Sequence, residues 1–316
     1  MNFKNYLHSS PLYPVSAAAP RYFMRAVVVA LVSALCYGSL SSTSAQEAIT
    51  GQWIIEPDRG KERRPDSVHL TIQRSRNGRG NFNSSDSVRL EHFRGLTQAQ
   101  MAGSGAAAQF QIVRDAGVLN CEGWFKDGRG SGHFTFAPDR GFASEMQGLG
   151  YGTLSDEKLF TLAVLDVSRV FIRELAALGY ERLPVDKLVA MKIHGATPQF
   201  ISELRAAGYD HPPVDQLVAM RIHGATPEFI RELQAEGYNQ PPIDQLISMR
   251  IHGVSPNFIR ELKQLGYDRV PVNQLVAMRI HGVSPEFIQK MKDRGFKDLS
   301  VDELVRLRIH GFDKEL

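Results

Sequence analysis

Leu217-Val218-Ala219-Met220-Arg221-Ile222-His223-Gly224-Ala225-Thr226-Pro227-Glu228-Phe229-Ile230 decides the fold of this chain, because it returns with few changes every 29 residues. His194, His223, His252, His281 and His310 keep that step, each followed by a glycine. Phe171, Phe200, Phe229, Phe258 and Phe287 keep it too, as do Gly179, Gly208, Gly237, Gly266 and Gly295. Identity at a fixed period marks a supersecondary unit repeated along the chain. The first copy is degenerate, with Leu165-Asp166 in place of His-Gly, as befits a terminal cap.

The punctuation of one unit spells two short helices. Helix A is expected over Val214 to His223, entered through Pro213 and with Asp215 facing the positive helix end. In the last copy Ser300-Val301-Asp302-Glu303 supplies a capping box at the same register. Gly224 stops helix A by taking a left-handed conformation. Thr226 caps helix B, Pro227 occupies its first turn, Gly237 ends it and Pro241-Pro242 prevents continuation.

About three turns each, such helices cannot stand alone. Phe229, Ile230 and Leu233 give helix B one apolar stripe, while Val214, Leu217, Val218, Met220 and Ile222 give helix A a wider arc. Only neighbouring copies can cover that arc, so 151–316 is expected to be a stacked, α-solenoid-like array of helical hairpins. The repeated Phe and Tyr residues belong to its core.

Two repeated positions do not follow from core spacing. Lys192, Arg221, Arg250, Arg279 and Arg308 fall near the middle of the apolar arc. Each needs to snorkel, to cap a helix C-terminus, or to pair with a carboxylate, for which Glu203, Glu232 and Glu261 are the candidates. The functional alternative is a row of cations offered to an acidic partner. The imidazoles of His194, His223, His252, His281 and His310 are expected to cap the last carbonyls of helix A. Stacked repeats place equivalent atoms ~10 Å apart, too far to share a Zn²⁺ that bonds at ~2 Å. A pH-sensing row remains the other reading.

Upstream, 47–150 reads as a small antiparallel β domain, making the fold class α+β. Phe110 and Ile112 alternate with polar residues, Asp115-Ala116-Gly117 turns the chain, and Asp127-Gly128 offers a tight hairpin before Phe134 and Phe136. Cys121, Gly123 and Phe125 share one face; Glu122, Trp124 and Lys126 share the other. Cys121 is therefore expected as a small core residue. Further strands are read at 52–55, 68–72 and 88–90. Gly51-Gln52-Trp53 matches the Gly-x-Trp of the lipocalin first strand, but about a hundred residues are few for an eight-stranded barrel with a cavity. Trp53 is expected in the core. Arg74 to Gly80 forms a basic turn, read as a solvated loop with anion binding as the alternative.

The first 45 residues read as a targeting segment. Arg21 and Arg25 precede the apolar run 26–35, and Thr43-Ser44-Ala45 gives a small-x-small cleavage site. Translation from Met24 would yield a compact signal. An uncleaved anchor is the alternative, although an apolar run of about fifteen residues is short of the ~20 a span requires. Cleavage at Ala45 leaves Cys121 as the single cysteine, so no internal disulfide is expected. Leu35 before Cys36 argues against a lipid-attachment site.

Composition bounds the function classes. Of 316 residues 43% are hydrophobic and 22% charged, which excludes wholesale disorder and a polytopic membrane protein. The formal charge is +3, and residues 151–316 carry 21 basic against 22 acidic groups. That balance argues against nucleic acid as a partner, which needs a strong basic excess. No nucleophile–base set, phosphate loop or metal cluster is legible, so no catalytic residue, metal or cofactor is expected.

The unit from Leu275 to Ile288 resembles repeats of bacterial extracytoplasmic proteins. It also resembles the non-catalytic C-terminal regions of some zinc metallopeptidases of the β-lactam-sensor antirepressor type. The stretches Arg114–Gly117 and Phe134–Phe136 resemble the region preceding those repeats, so the likeness spans most of 47–316. It does not carry the peptidase, since the chain has no His-Glu-x-x-His and no multi-span membrane segment. The resemblance implies a shared sensory or docking module. The expectation is a periplasmic or secreted, non-enzymatic protein that binds another protein or an envelope component. A small-ligand carrier or sensor built on the β domain is the alternative.

Overall fold

The 29-residue period becomes a row of helical hairpins. A computed structural model describes residues 48–58, 66–76 and 80–311; the expected signal segment and residues 77–79 of the basic turn lie outside these. Helices of type A are α3 (Asp156–Val164), α5 (Val185–His194), α7 (Val214–His223), α9 (Ile243–Ile251), α11 (Val272–Ile280) and α13 (Val301–Ile309). Those of type B are α4 (Arg169–Ala177), α6 (Pro198–Ala206), α8 (Pro227–Ala235), α10 (Pro256–Gln264) and α12 (Pro285–Asp293). Every B helix is capped by a hydroxyl: the side chains of Ser168, Thr197, Thr226, Ser255 and Ser284 accept from the amide three residues on. The capping box at Ser300 and Glu303 forms as expected. In the degenerate first copy Asp166 itself adopts the left-handed conformation, φ 53°, that the glycines adopt later.

Neighbouring hairpins bury each other. Leu188, Leu217, Leu246, Leu275 and Leu304 are fully covered, and so are Met191, Met220, Met249 and Met278. The A helices pack more closely on their successors than the B helices do, which makes the A layer the inner one. A second set of ties is polar. The hydroxyls of Tyr180, Tyr209, Tyr238 and Tyr267 each donate, at 2.7 Å, to a carbonyl 32 residues later, those of Pro212, Pro241, Val270 and Leu299. The last position of this series is Phe296, which has no hydroxyl to place. His211 adds to the same seam, stacking on Tyr180 at 4.4 Å and bonding the Gly179 carbonyl at 3.0 Å through Nε2.

The β domain is one curled antiparallel sheet of seven strands: β1 (Thr50–Pro57), β2 (Ser67–Arg76), β3 (Gly80–Arg89), β4 (Phe93–Arg94), β5 (Ser104–Arg114), β6 (Gly117–Lys126) and β7 (Arg129–Pro138). Their order is β3-β2-β1-β7-β6-β5-β4. Two short helices, α1 (Gln98–Ala102) and α2 (Arg140–Met146), complete it. The inner face is filled. Trp53 has no exposed surface, meets Phe110 and Phe125 at 5.0 and 5.5 Å, and donates Nε1 to the Glu122 and His133 carbonyls. Its indole takes the space that a Cβ on Gly123 would need, the two lying only 2.6 Å apart. Cys121 is buried on this face, its thiol pushed up by burial and bonded to the Leu119 carbonyl.

Sheet and array share one core. Phe160 of α3 meets Phe82, Phe134 and Phe136 at 5.3 to 5.7 Å. Arginine–carboxylate pairs ring that contact: Arg74 with Glu157, Arg114 with Asp166, Arg169 with Asp115, and Arg140 with Asp156. Arg74, expected at the start of a solvated basic turn, instead lies in β2, and its Nη1 reaches both oxygens of Glu157 at 2.7 and 2.8 Å.

Burial pushes the phenols of Tyr180, Tyr209 and Tyr238 up to about 12. An unfolded tyrosine ionises near pH ~10, so the neutral phenol favours the folded chain below that pH and loses its advantage as pH climbs toward 12. Chemical denaturation should therefore show stability falling between those pH values, with a shallower fall in Tyr209→Phe. At neutral pH the same variant should lose about 1–2 kcal/mol, the cost of leaving the Pro241 carbonyl unsatisfied.

Candidate functional site

The recurring cations Lys192, Arg221, Arg250, Arg279 and Arg308 lie in the last turn of helix A. Each caps its predecessor hairpin. Arg221 Cζ stands 5.0 Å over the Phe200 ring, Arg250 4.9 Å over Phe229, Arg279 5.1 Å over Phe258 and Arg308 4.9 Å over Phe287. In the first pair Lys192 Nζ is 4.6 Å from the Phe171 centroid. A planar guanidinium over an aromatic face keeps its charge toward water while covering the ring. Arg221 and Arg279 also donate Nε to the His194 and His252 carbonyls at 3.4 Å. These are carbonyls of the preceding A helix, so the capping is between repeats.

The carboxylates expected to pair with this row do not. Glu203 accepts from Gln199 at 2.8 Å and Glu261 from Asn257 at 2.6 Å, both within their own helix. The reason is steric: the ring of the preceding Phe already occupies the cation's face. The imidazole row differs as well. His194, His223, His281 and His310 are exposed and His252 is half-buried, and no side-chain hydrogen bond holds any of them among the described residues. The arginines have taken the carbonyls these rings were expected to cap.

Glycine makes this capping possible. At Gly224 φ is +72°, and a Cβ there would lie 3.1 Å from Arg250 Nη2. The same residue therefore supplies the left-handed turn and the seat for the next guanidinium. Gly195, Gly253 and Gly282 repeat the geometry against Arg221, Arg279 and Arg308.

Beside the cations runs a feature that arc counting obscured. Ile193, Ile222, Ile251, Ile280 and Ile309 are 53–58% exposed, one in every complete copy. Arc counting within one unit groups Ile222 with Leu217 and Met220 on the buried side, whereas it is 54% exposed. It stands two turns after the exposed Asp215 and shares that residue's face, beyond the reach of the adjacent hairpin. That seven-residue spacing is the signal that could have revealed it. The row opens at a groove between β3 and the array, where Asn83, Asp86 and Asp166 face Lys192, Ile193 and Arg221. Burial lowers the Lys192 ammonium there.

Among the described residues no group of three or more His, Cys, Asp or Glu is placed to hold a metal ion. No protein-family model matches the chain, and neither a curated protein nor a solved structure matches it.

The cap and its glycine can be separated by a double-mutant cycle read by denaturant unfolding. Arg250→Ala should cost about 0.5–1 kcal/mol, the worth of an exposed cation–π contact. Gly224→Ala should cost about 1–2 kcal/mol through its positive φ. Because the added methyl also meets Arg250, the two losses together should fall short of their sum.

Proposed function

We propose that this is an exported, non-enzymatic docking protein whose helical array holds a segment of a partner protein along its A layer. The observation that carries this reading is the row of five half-exposed isoleucines at a constant period. A soluble surface gains nothing from an isoleucine that a lysine or glutamate would not provide, and rows of exposed apolar side chains mark interaction faces. The flanking cations give the row a sign: an arginine or lysine precedes each isoleucine and a histidine follows it. The occupant this suits is an elongated segment with apolar residues at intervals and carboxylates beside them. Repeat arrays serve such extended contacts, since they offer a long surface in place of one deep cleft. Export rests on the basic, apolar and small-residue pattern of the first 45 residues, and the resemblance to non-catalytic sensor regions supports a docking role. The filled inner face of the sheet, with Trp53 fully covered, weighs against the small-ligand carrier.

The test is affinity capture from a bacterial envelope extract by the full chain and by a variant carrying Ile222→Ser, Ile251→Ser and Ile280→Ser. These side chains are half-exposed, so each change should shift stability by under about 1 kcal/mol. Recovery of one stoichiometric protein by the parent, lost from the triple variant, is the expected result. Equal recovery by both would exclude the isoleucine row as the docking face.

A further inference from the structure

The outer face of the sheet carries a second surface, independent of the repeats. Strand register places Gln109, Glu122, His133, Gln52, Gln73 and Asn83 side by side, one on each of six neighbouring strands. At ~4.8 Å per strand this row is ~24 Å long. The row beside it toward one edge is Arg94, Gln111, Asn120, Thr135 and Thr50, with Arg94 at its end the one charge. Two shallow basins lie over these rows and meet at Glu122, His133 and Thr135. On the other side, two residues beyond Glu122, stands Trp124. It is 52% exposed, and its cross-strand neighbours Ala107 and Ser131 are too small to cover the indole.

A solvated face is usual for an antiparallel sheet, and one exposed aromatic by itself says nothing. The combination is more specific. Amide side chains present a donor and an acceptor together, as a sugar hydroxyl does, so a row of them can bond a polyhydroxylated chain in either sense. The indole offers a flat apolar surface for the C–H face of a pyranose ring. Glu122 and Arg94 are the formal charges of the two polar rows, and Arg74 at the rim of the second basin is paired with Glu157, so the face lacks the cluster of cations that a phosphodiester backbone requires. It also lacks the apolar centre of a protein interface.

We infer that this face binds a neutral, extended oligosaccharide, laid across the strands along the Gln109–Asn83 row with one sugar stacked on Trp124. In an extended β-1,4-linked chain each pyranose advances by close to one strand spacing, so successive hydroxyls meet successive side chains. Gln52, Gln73 and Asn83 bond hydroxyls on the β1–β3 side, while Glu122 and His133 hold the centre where the basins join.

Titration of the purified full chain with cellohexaose, chitohexaose, maltohexaose and a sulfated heparin hexasaccharide tests this, read by calorimetry and tryptophan fluorescence. At least one β-1,4-linked neutral hexasaccharide should bind with a Kd between about 1 μM and 1 mM and shift the emission of the exposed indole. Trp124→Ala should weaken that binding at least about ten-fold, Trp124→Phe by less, and Gln52→Ala by about three-fold. Ile222→Ser should leave it unchanged, which separates this site from the repeat row. The inference is overturned if no neutral hexasaccharide binds, or if the sulfated one binds more tightly. It is equally overturned if Trp124→Ala binds as the parent does with the same unfolding midpoint. A dimer in sedimentation that Trp124→Ala abolishes would assign the face to self-association and overturn it too.

Discussion

A hairpin of two nine- or ten-residue helices has more apolar surface than it can cover, and the whole array follows from that deficit. Leu217 and Met220 are fully buried only because α5 and α9 flank α7. The polar ties obey the same constraint. Each tyrosine hydroxyl donates forward to the next hairpin, and each arginine reaches back over the phenylalanine of the previous one. Neither contact exists within a single unit. Residues that look like independent repeats in the chain are therefore halves of contacts, and the period is kept because both halves must be present.

The ends show the same logic. At the start, Asp166 takes the glycine's left-handed position and turns its carboxylate to Arg114, exchanging an inter-hairpin contact for one with the sheet. In the last described copy Phe296 stands where the earlier copies have the tyrosine, so the hydroxyl tie is absent from that position. The junction with the sheet is firm because Phe160 enters the sheet's own core while four arginine–carboxylate pairs surround it.

Much of this was legible without coordinates. Caps such as Thr226 and Ser300 and stops such as Gly224 act locally, so their positions could be read from neighbouring residues, and the period gave the stacking. The hairpins at Asp115–Gly117 and Asp127–Gly128 were readable for the same reason. What could not be read were contacts between distant segments. Strand β3 is almost wholly polar from Asn81 to Ser87, apart from Phe82, and only its register with β2 makes it a strand. Of the roles open to the arginines, capping of helix ends is found, on the preceding A helix, while pairing with Glu232 is not, because the spacing within one unit names Glu232 and the fold supplies Phe229. Exposure of Ile222 depends on how far the neighbouring hairpin reaches, a quantity that one unit does not contain.

Coupling between neighbours is thus the claim on which the proposed docking surface depends, since the isoleucines form a row only while the hairpins stay stacked. Native-state hydrogen exchange on the full chain measures it directly. If hairpins cannot persist alone, the amides of α7, α8, α9 and α10 should open together, with one shared free energy and one shared denaturant dependence. Were each hairpin to open with its own free energy, unaffected by the state of its neighbours, the account would be contradicted.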